Sequence, residues 1–382
     1  MPRQGAIVAV LAIAGLASSF MFTLVVPIQS KLPELLNASR EDTAWVVTAT
    51  LLAAAVSTPI AGRLGDMYGK RRIVLILLGL LIVGSVIAAL SPGIGGIIVG
   101  RALQGAVTGV VPLGISIMRD VLHEDRVDAA IALMSATLGV GGAVGMPVSA
   151  IITETSDWHV LFWMAAGLGA VVFVLVALVV PASVLRTAGR FDFAGAIGLA
   201  IGLTGVLLAV SRGNEWGWAS PATLSLGLGG LAVLLVWGWF ELRIREPLLD
   251  LRVAARPAVL LTNLASVAMG FSLFASNVSY PQMLELPASA GGFGLTLVQA
   301  SFIVMPAGLV MMVLSPFSGR LARTIGPRVL LIMGASALIL AYGYSLLWAS
   351  EVWHLLIANL LIGVGIGFGY AGMPMLIMRS VP

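Results

Sequence analysis

The sequence predicts an all-α polytopic membrane protein with twelve spans. Three observations carry this expectation. Apolar residues make up 59% of the 382-residue chain and charged residues only 10%, whereas soluble domains average about 25% charged. Twelve runs of about 20 residues are free or nearly free of charge, the length that crosses a bilayer as a helix. The basic residues between these runs fall almost entirely on alternate segments. No alternating strand pattern competes, which argues against a membrane β-barrel.

The runs are read in order. Gln4–Ser30, Thr43–Gly62 and Ile73–Ser91 give spans 1 to 3. Ile94–Met118, interrupted only by Arg101, gives span 4. Ala129–Thr153 and Val160–Pro181 give spans 5 and 6, and Phe193–Ser211 and Ala219–Phe240 give 7 and 8. Pro257–Tyr280, Thr296–Ser315, Val329–Trp348 and Val352–Met378 give 9 to 12. Span 1 leads directly into polytopic sequence, so it is read as a retained span and not as a cleaved leader.

Orientation follows from Lys and Arg. With the N-terminus inside, 17 of the 21 basic residues lie on inner segments: Arg3, the Arg63–Arg72 group, Arg119, Arg126, Arg186, Arg190, Arg243 to Arg256, Arg320 to Arg328 and Arg379. Only Lys31, Arg40 and Arg212 lie outside, and Arg101 is within a span. Acidic residues split almost evenly. Trp45, Trp158, Trp163, Trp216, Trp218, Trp348 and Trp353 cluster at the outer boundary, where amphipathic rings prefer to sit. Only Lys31 and Lys70 are lysines, and the bias to Arg, Ala and Gly matches a GC-rich bacterial gene. The expected location is therefore the bacterial inner membrane, with the N-terminus cytoplasmic.

Several classes drop out. The chain has no cysteine and three well-separated histidines, His123, His159 and His354, so neither a disulfide framework nor a metal site is expected. No phosphate-binding P-loop or HExxH motif is present. Gly367-Phe-Gly369-Tyr-Ala-Gly372 matches GxGxxG, but it lies inside an apolar span and reads as helix packing. No cofactor, nucleic-acid partner or enzymatic role is expected.

An internal repeat carries the most information. The segment after span 2 reads Gly62-Arg-Leu-Gly-Asp66-Met-Tyr-Gly69-Lys-Arg-Arg72, and that after span 10 reads Gly319-Arg-Leu-Ala-Arg323-Thr-Ile-Gly326-Pro-Arg328. Span 4 ends Ile117-Met-Arg119-Asp-Val121, and span 12 ends Ile377-Met-Arg379-Ser-Val381. The offsets are 257 and 260 residues. Parallel repeats of this kind build secondary transporters from two helical bundles. Span 9 then corresponds to span 1, and spans 7 and 8 are an inserted pair. The expected domains are a six-helix bundle over 1–185, an inserted segment over 186–256, and the first four helices of a second bundle over 257–382. Two further helices of that bundle are expected beyond Pro382.

The Gly62–Arg72 segment resembles the signature loop of the major facilitator superfamily, G-x-L-[AG]-D-x-x-G-[RK]-[RK]. The resemblance covers essentially the whole chain. Arg101-Ala-Leu-Gln104-Gly105 is similar to that family's span 4 motif. Gly139, Gly142, Gly145 and Pro147 resemble the span 5 motif of its exporters. Arg190-Phe-Asp192-Phe-Ala-Gly195, Trp216-Gly-Trp218 and Arg245-Glu-Pro-Leu-Leu-Asp250 resemble the fourteen-span drug:proton antiporters. The resemblance implies a major facilitator fold and a proton-coupled multidrug or amphiphile exporter working by alternating access. Its implied partners are a small amphiphilic substrate, protons and membrane lipid, and it implies a monomer. A specific-metabolite transporter on the same fold and an uncoupled lipid-handling or scaffold protein are the alternatives.

The chain departs from the pattern in three places. Met146 separates Gly145 from Pro147, and Ser149-Ala150 replace a glycine pair. The branch's span 1 aspartate has no counterpart near Ser18 and Ser19. Arg323 replaces the aspartate in the second loop copy.

Site residues follow. Gly62, Arg63, Asp66, Gly69, Lys70 and Arg71 are expected to form a conformational latch, in which a carboxylate at a helix end pairs with arginine. Arg101 is the charged residue deepest in a span, and such residues face polar interiors for a reason. With no acid in span 1, Arg101, Glu154 and Asp157 are the proton-coupling candidates. Gly139, Gly142, Gly145 and Pro147 are expected to bend span 5 for gating. Gln29, Gln104, Asn263, Asn277, Tyr280, Gln299 and Asn359 are the substrate-cavity candidates.

Overall fold

A computed structural model describes residues 4–29, 31–182 and 190–380, with the side chains of 379 and 380 left aside. Arg3, Ser30, Arg186 and Val381, used above, lie outside the described residues, as does the side chain of Arg379. Among the described residues there is no strand, and twelve helices are long and apolar enough to cross a membrane. They are α1 (Gln4–Thr23), α2 (Arg40–Tyr68), α3 (Lys70–Leu90), α4 (Ile94–Val121), α5 (Glu124–Thr155), α6 (His159–Val179), α7 (Phe193–Trp216), α8 (Pro221–Glu241), α9 (Pro257–Glu285), α10 (Leu297–Thr324), α11 (Pro327–Leu347) and α12 (Val352–Met378).

Several helices begin where a short polar side chain takes a free backbone N–H. Ser39 caps α2 through Asp42 N (3.0 Å), Asp192 caps α7 through Gly195 N (2.8 Å), and Ser220 caps α8 through Thr223 N (3.2 Å). Thr296 and Gln299 form a reciprocal capping box at the start of α10. α2, α5 and α9 run past the spans read from charge alone, because backbone hydrogen bonding carries them into polar residues: α2 from Arg40 to Tyr68, α5 from Glu124 and α9 to Glu285.

Two of the helices are interrupted. The middle of α4 tightens to a 3₁₀ turn at Ala106–Gly109. In α10, Leu297–Val304 gives way to Pro306–Thr324 at Met305. Pro306 has no N–H to offer, and Gly308 N donates to Met305 O (3.2 Å).

The chain separates into two compact units that interleave along the sequence. The first holds Met1–Ile28, Gly114–Leu161 and Arg256–Pro382; the second holds Gln29–Leu113 and Phe162–Ala255. In the first unit α5 is the central helix, with 78% of its apolar window buried, and α9 is peripheral, at 17%. Its main core joins Met146, Met269, Leu284, Val304, Met311, Leu338 and Ile366. In the second unit α3 is half buried and α8 only 11%. A small cluster of Ala196, Leu199 and Leu248 closes one end of α7.

Candidate functional site

The α2–α3 junction is built by two glycines. Gly69 has φ 103° and ψ 124°, a region L side chains rarely enter, and Gly69 N donates to Gly65 O (2.9 Å). Gly65 is buried against Leu113. The second loop copy repeats the geometry at Gly326, with φ 88° between α10 and α11. Gly69 and Gly326 are 257 residues apart, so the sequence repeat is also a repeat of backbone conformation.

Around the first loop Asp66 is exposed, Gly62 and Arg63 are half-buried, and Lys70 is buried. Arg71 Nη2 donates to Ala177 O of α6 (2.5 Å). The loop thus presents a solvated carboxylate beside basic side chains partly committed to neighbouring helices.

Arg101 lies in the interior of the second unit, 1% exposed. Its Nη1 donates to Gln104 Oε1 (3.0 Å) and its Nε to Val46 O of α2 (3.4 Å). Gln104 Nε2 donates on to Ser85 Oγ of α3 (2.7 Å), and Ser85 Oγ donates to Leu81 O (2.7 Å). The chain of bonds ties α2, α3 and α4 together through neutral oxygens around one buried guanidinium.

Glycines bring helices into contact in the first unit. A Cβ on Gly141 would fall 2.7 Å from Leu16 O and 2.8 Å from Phe20 N of α1. Gly145 lies beside Thr23 and Phe20 of α1, and Gly139 against Met311 of α10. Gly142 is looser, with Thr23 Cγ2 at 3.4 Å. Pro147 sits inside α5, and Ser149 Oγ donates to Leu24 O of α1 (2.5 Å). α5 therefore has one small-residue face for α1 and another for α10.

Glu154 and Asp157 are placed differently. Glu154 is exposed at the end of α5. Asp157 caps α6: Oδ1 accepts from His159 N (2.8 Å) and meets the His159 imidazole. The His159 backbone N–H, then its ring, hold the Asp157 carboxyl below the usual carboxylate range.

The cavity candidates disperse. Gln104 belongs to the Arg101 network. Tyr280 is buried, its hydroxyl 2.8 Å from Ser345 Oγ. Gln299 is exposed in its capping box. Asn359, 2% exposed, donates to Val304 O (2.7 Å) and Ile303 O (3.3 Å) at the α10 break. Gln29 and Asn277 are half-buried and Asn263 is exposed.

The structure adds a cavity of about 530 Å³ in the first unit. Gln4 and Val8 of α1, Arg126, Ala130 and Leu133 of α5, and Met312 and Ser315 of α10 line it. Its walls are mainly apolar, with the Gln4 amide, the Arg126 guanidinium and the Ser315 hydroxyl, which has no partner among the described residues, as polar features. A mostly apolar cavity with few polar groups suits an amphiphile. No residue of this cavity stands out in the sequence, because its lining is ordinary span residues assembled from three helices.

Known proteins share this organisation. The lincomycin resistance protein LmrB of Listeria monocytogenes is 28% identical over 343 residues, covering 88% of this chain and 70% of its own. The multidrug resistance protein Stp of Mycobacterium tuberculosis is 26% identical over 363 residues, covering 94% and 66%. The human organic anion transporter MFSD10 shares the fold, with a TM-score of 0.62 at 16% identity over all of this chain and 90% of that one. The family profile described as Major Facilitator Superfamily matches residues 11–382. With twelve membrane-length helices and this match across nearly its whole length, the chain belongs to the Major Facilitator Superfamily, a family of membrane transporters.

Proposed function

We propose that this transporter exports amphiphilic drugs from the bacterial cytoplasm in exchange for protons, by alternating access, with its N-terminus in the cytoplasm. The observation that carries the reading is the apolar cavity where α1, α5 and α10 of the first unit meet. The relatives named for lincomycin and multidrug resistance support the substrate class. On this reading the chain belongs to the fourteen-span antiporter branch, with α7 and α8 as the inserted pair between bundles at 1–185 and 257–382. Asp66 and its loop act as the latch, and the α5 glycines with Pro147 let α5 move against α1 and α10.

Proton coupling rests on Arg101, with Glu154 as the freer of the two outer acids, because Asp157 is engaged as a helix cap. The test uses everted vesicles containing the protein and a panel of amphiphilic dyes. Dye accumulation that requires the proton gradient supports the reading.

One observation favours a second reading, uncoupled movement of lipid-like molecules. At the place of the branch's α1 aspartate stand Ser18 and Ser19, both buried, and Ser19 Oγ has no hydrogen-bond partner among the described residues. Flux that persists after the gradient is collapsed favours this alternative.

A further inference from the structure

The α7–α8 hairpin carries a buried acid pair that the transport reading does not use. Glu241, the last residue of α8, is 2% exposed. Asp192 is the N-cap of α7, and its Oδ1 is spent on Gly195 N. Asp192 Oδ2 and Glu241 Oε1 both lie against the same side of Gly195, a position open only because that residue has no side chain. Asp192 Oδ2 and both oxygens of Glu241 are buried and, among the described residues, have no hydrogen-bond partner. The backbone N–H groups of Leu248 and Leu249 face Glu241 at the margin of hydrogen-bond geometry and partly offset its burial.

Several of the surrounding charges are exposed or engaged elsewhere, while Arg63 Nε on α2 is buried without a partner among the described residues. On the segment after α8, Arg243 stacks over Trp239 (4.0 Å) and Arg245 is exposed. Glu246 accepts from Arg190 N (2.5 Å), and Asp250 caps the short helix Leu251–Ala254. Arg252 donates to Leu242 O (2.9 Å). From α2, Ile60 packs on this end of the hairpin, and Arg63 and Asp66 follow along the same helix. Among the described residues none of these groups gives Glu241 a hydrogen bond.

Two carboxylates buried side by side, with Gly195 N on Asp192 Oδ1 as their one well-formed donor, lose solvation and repel each other, so the doubly ionised pair is disfavoured. One proton removes both problems. We propose that Asp192 and Glu241 form a proton-binding site in which a single proton, taken from water at this end of the hairpin, bridges Glu241 to Asp192 Oδ2. The bridge fastens the first turn of α7 to the last turn of α8. Leu248, packed on Ala196 and Leu199, is fastened with it. Releasing the proton to water leaves two adjacent anions and loosens the segment 242–250 that leads to α9. The hairpin thereby responds to pH independently of any transported substrate.

The test is chemical and needs no transport. A hydrophobic carbodiimide adds to protonated buried carboxyl groups and scarcely to ionised ones. The purified protein in detergent is treated from about pH 5 to about pH 9, and adducts are located by peptide mass spectrometry. The expected result is an adduct on Glu241 or Asp192 that persists at neutral pH and then declines about tenfold per pH unit. In Asp192→Asn the like charge is gone, Glu241 ionises at neutral pH, and the adduct there falls about tenfold. Glu246→Gln leaves the profile unchanged. A measurement on wild-type protein alone guards against a variant that does not fold: unfolding in SDS removes the neutral-pH adduct. No adduct on either residue at any pH overturns the proposal, as does a profile identical in folded and SDS-unfolded protein. A profile unchanged in folded Asp192→Asn has the same consequence.

Discussion

Replacing Gln104 by leucine removes the side chain that links Arg101 to Ser85 of α3. The bond from Arg101 Nη1 to Gln104 Oε1 is 3.0 Å long and involves a charged donor that is 1% exposed. Hydrogen bonds to charged groups are worth about 1.5–3 kcal/mol. Leucine has nearly the volume of glutamine, so little of the loss is a cavity. Ser85 loses its donor, but Ser85 Oγ keeps its own bond to Leu81 O, and a neutral interhelical bond in a membrane averages about 0.6 kcal/mol. Gln104→Leu is therefore expected to lower stability by about 2–3 kcal/mol. Ser85→Ala, which removes only the neutral link, costs about 0.6 kcal/mol. Equilibrium unfolding in mixed SDS micelles measures both. Equal losses for the two variants would refute the claim that the buried guanidinium is what the network serves.

Further predictions follow from the other sites. Asp66→Asn leaves insertion and folding intact, since the carboxylate is exposed, but largely abolishes dye flux; normal flux removes the latch. Asn359→Leu leaves the carbonyls at the α10 break without donors and is expected to cost about 1–3 kcal/mol in the same unfolding assay, with flux reduced. Gly69→Val must hold φ near 103° and costs about 1–2 kcal/mol, while Gly62→Ala, with open space around it, is neutral. Asp157, whose pKa is lowered in the folded protein, contributes its cap above the ordinary aspartate pKa of about 3.9 and loses it only as pH falls through the lower folded value. Asp157→Asn therefore leaves the pH profile of flux unchanged between about pH 5 and 8, and a shifted profile would restore Asp157 as the proton carrier.

Twelve spans were legible because a bilayer demands a length of apolar chain that nothing else in the sequence imitates. The repeat was legible because Gly69 and Gly326 must both hold positive φ, and that requirement preserves glycine at matching positions. The ends of α2, α5 and α9 were less so, since backbone hydrogen bonding carries each helix past its apolar run into polar residues, as α5 does to Glu124 and α9 to Glu285. The fate of individual polar residues could not be read at all. Asn359 looked like a cavity residue, but its role is set by Pro306, 53 positions away, which breaks the carbonyl ladder that Asn359 completes. Gln104 likewise owes its place to Arg101 and Ser85. Glu241 was unremarkable in sequence because its burial depends on Asp192 and on Gly195.

Dye transport in everted vesicles tests the central claim most directly. The full chain is reconstituted, a proton gradient is imposed, and dye accumulation is recorded together with proton movement. Coupled export predicts that dye accumulates only with the gradient, that adding dye dissipates it, and that Arg101→Ala uncouples the two. Accumulation at the same rate after the gradient is collapsed contradicts it.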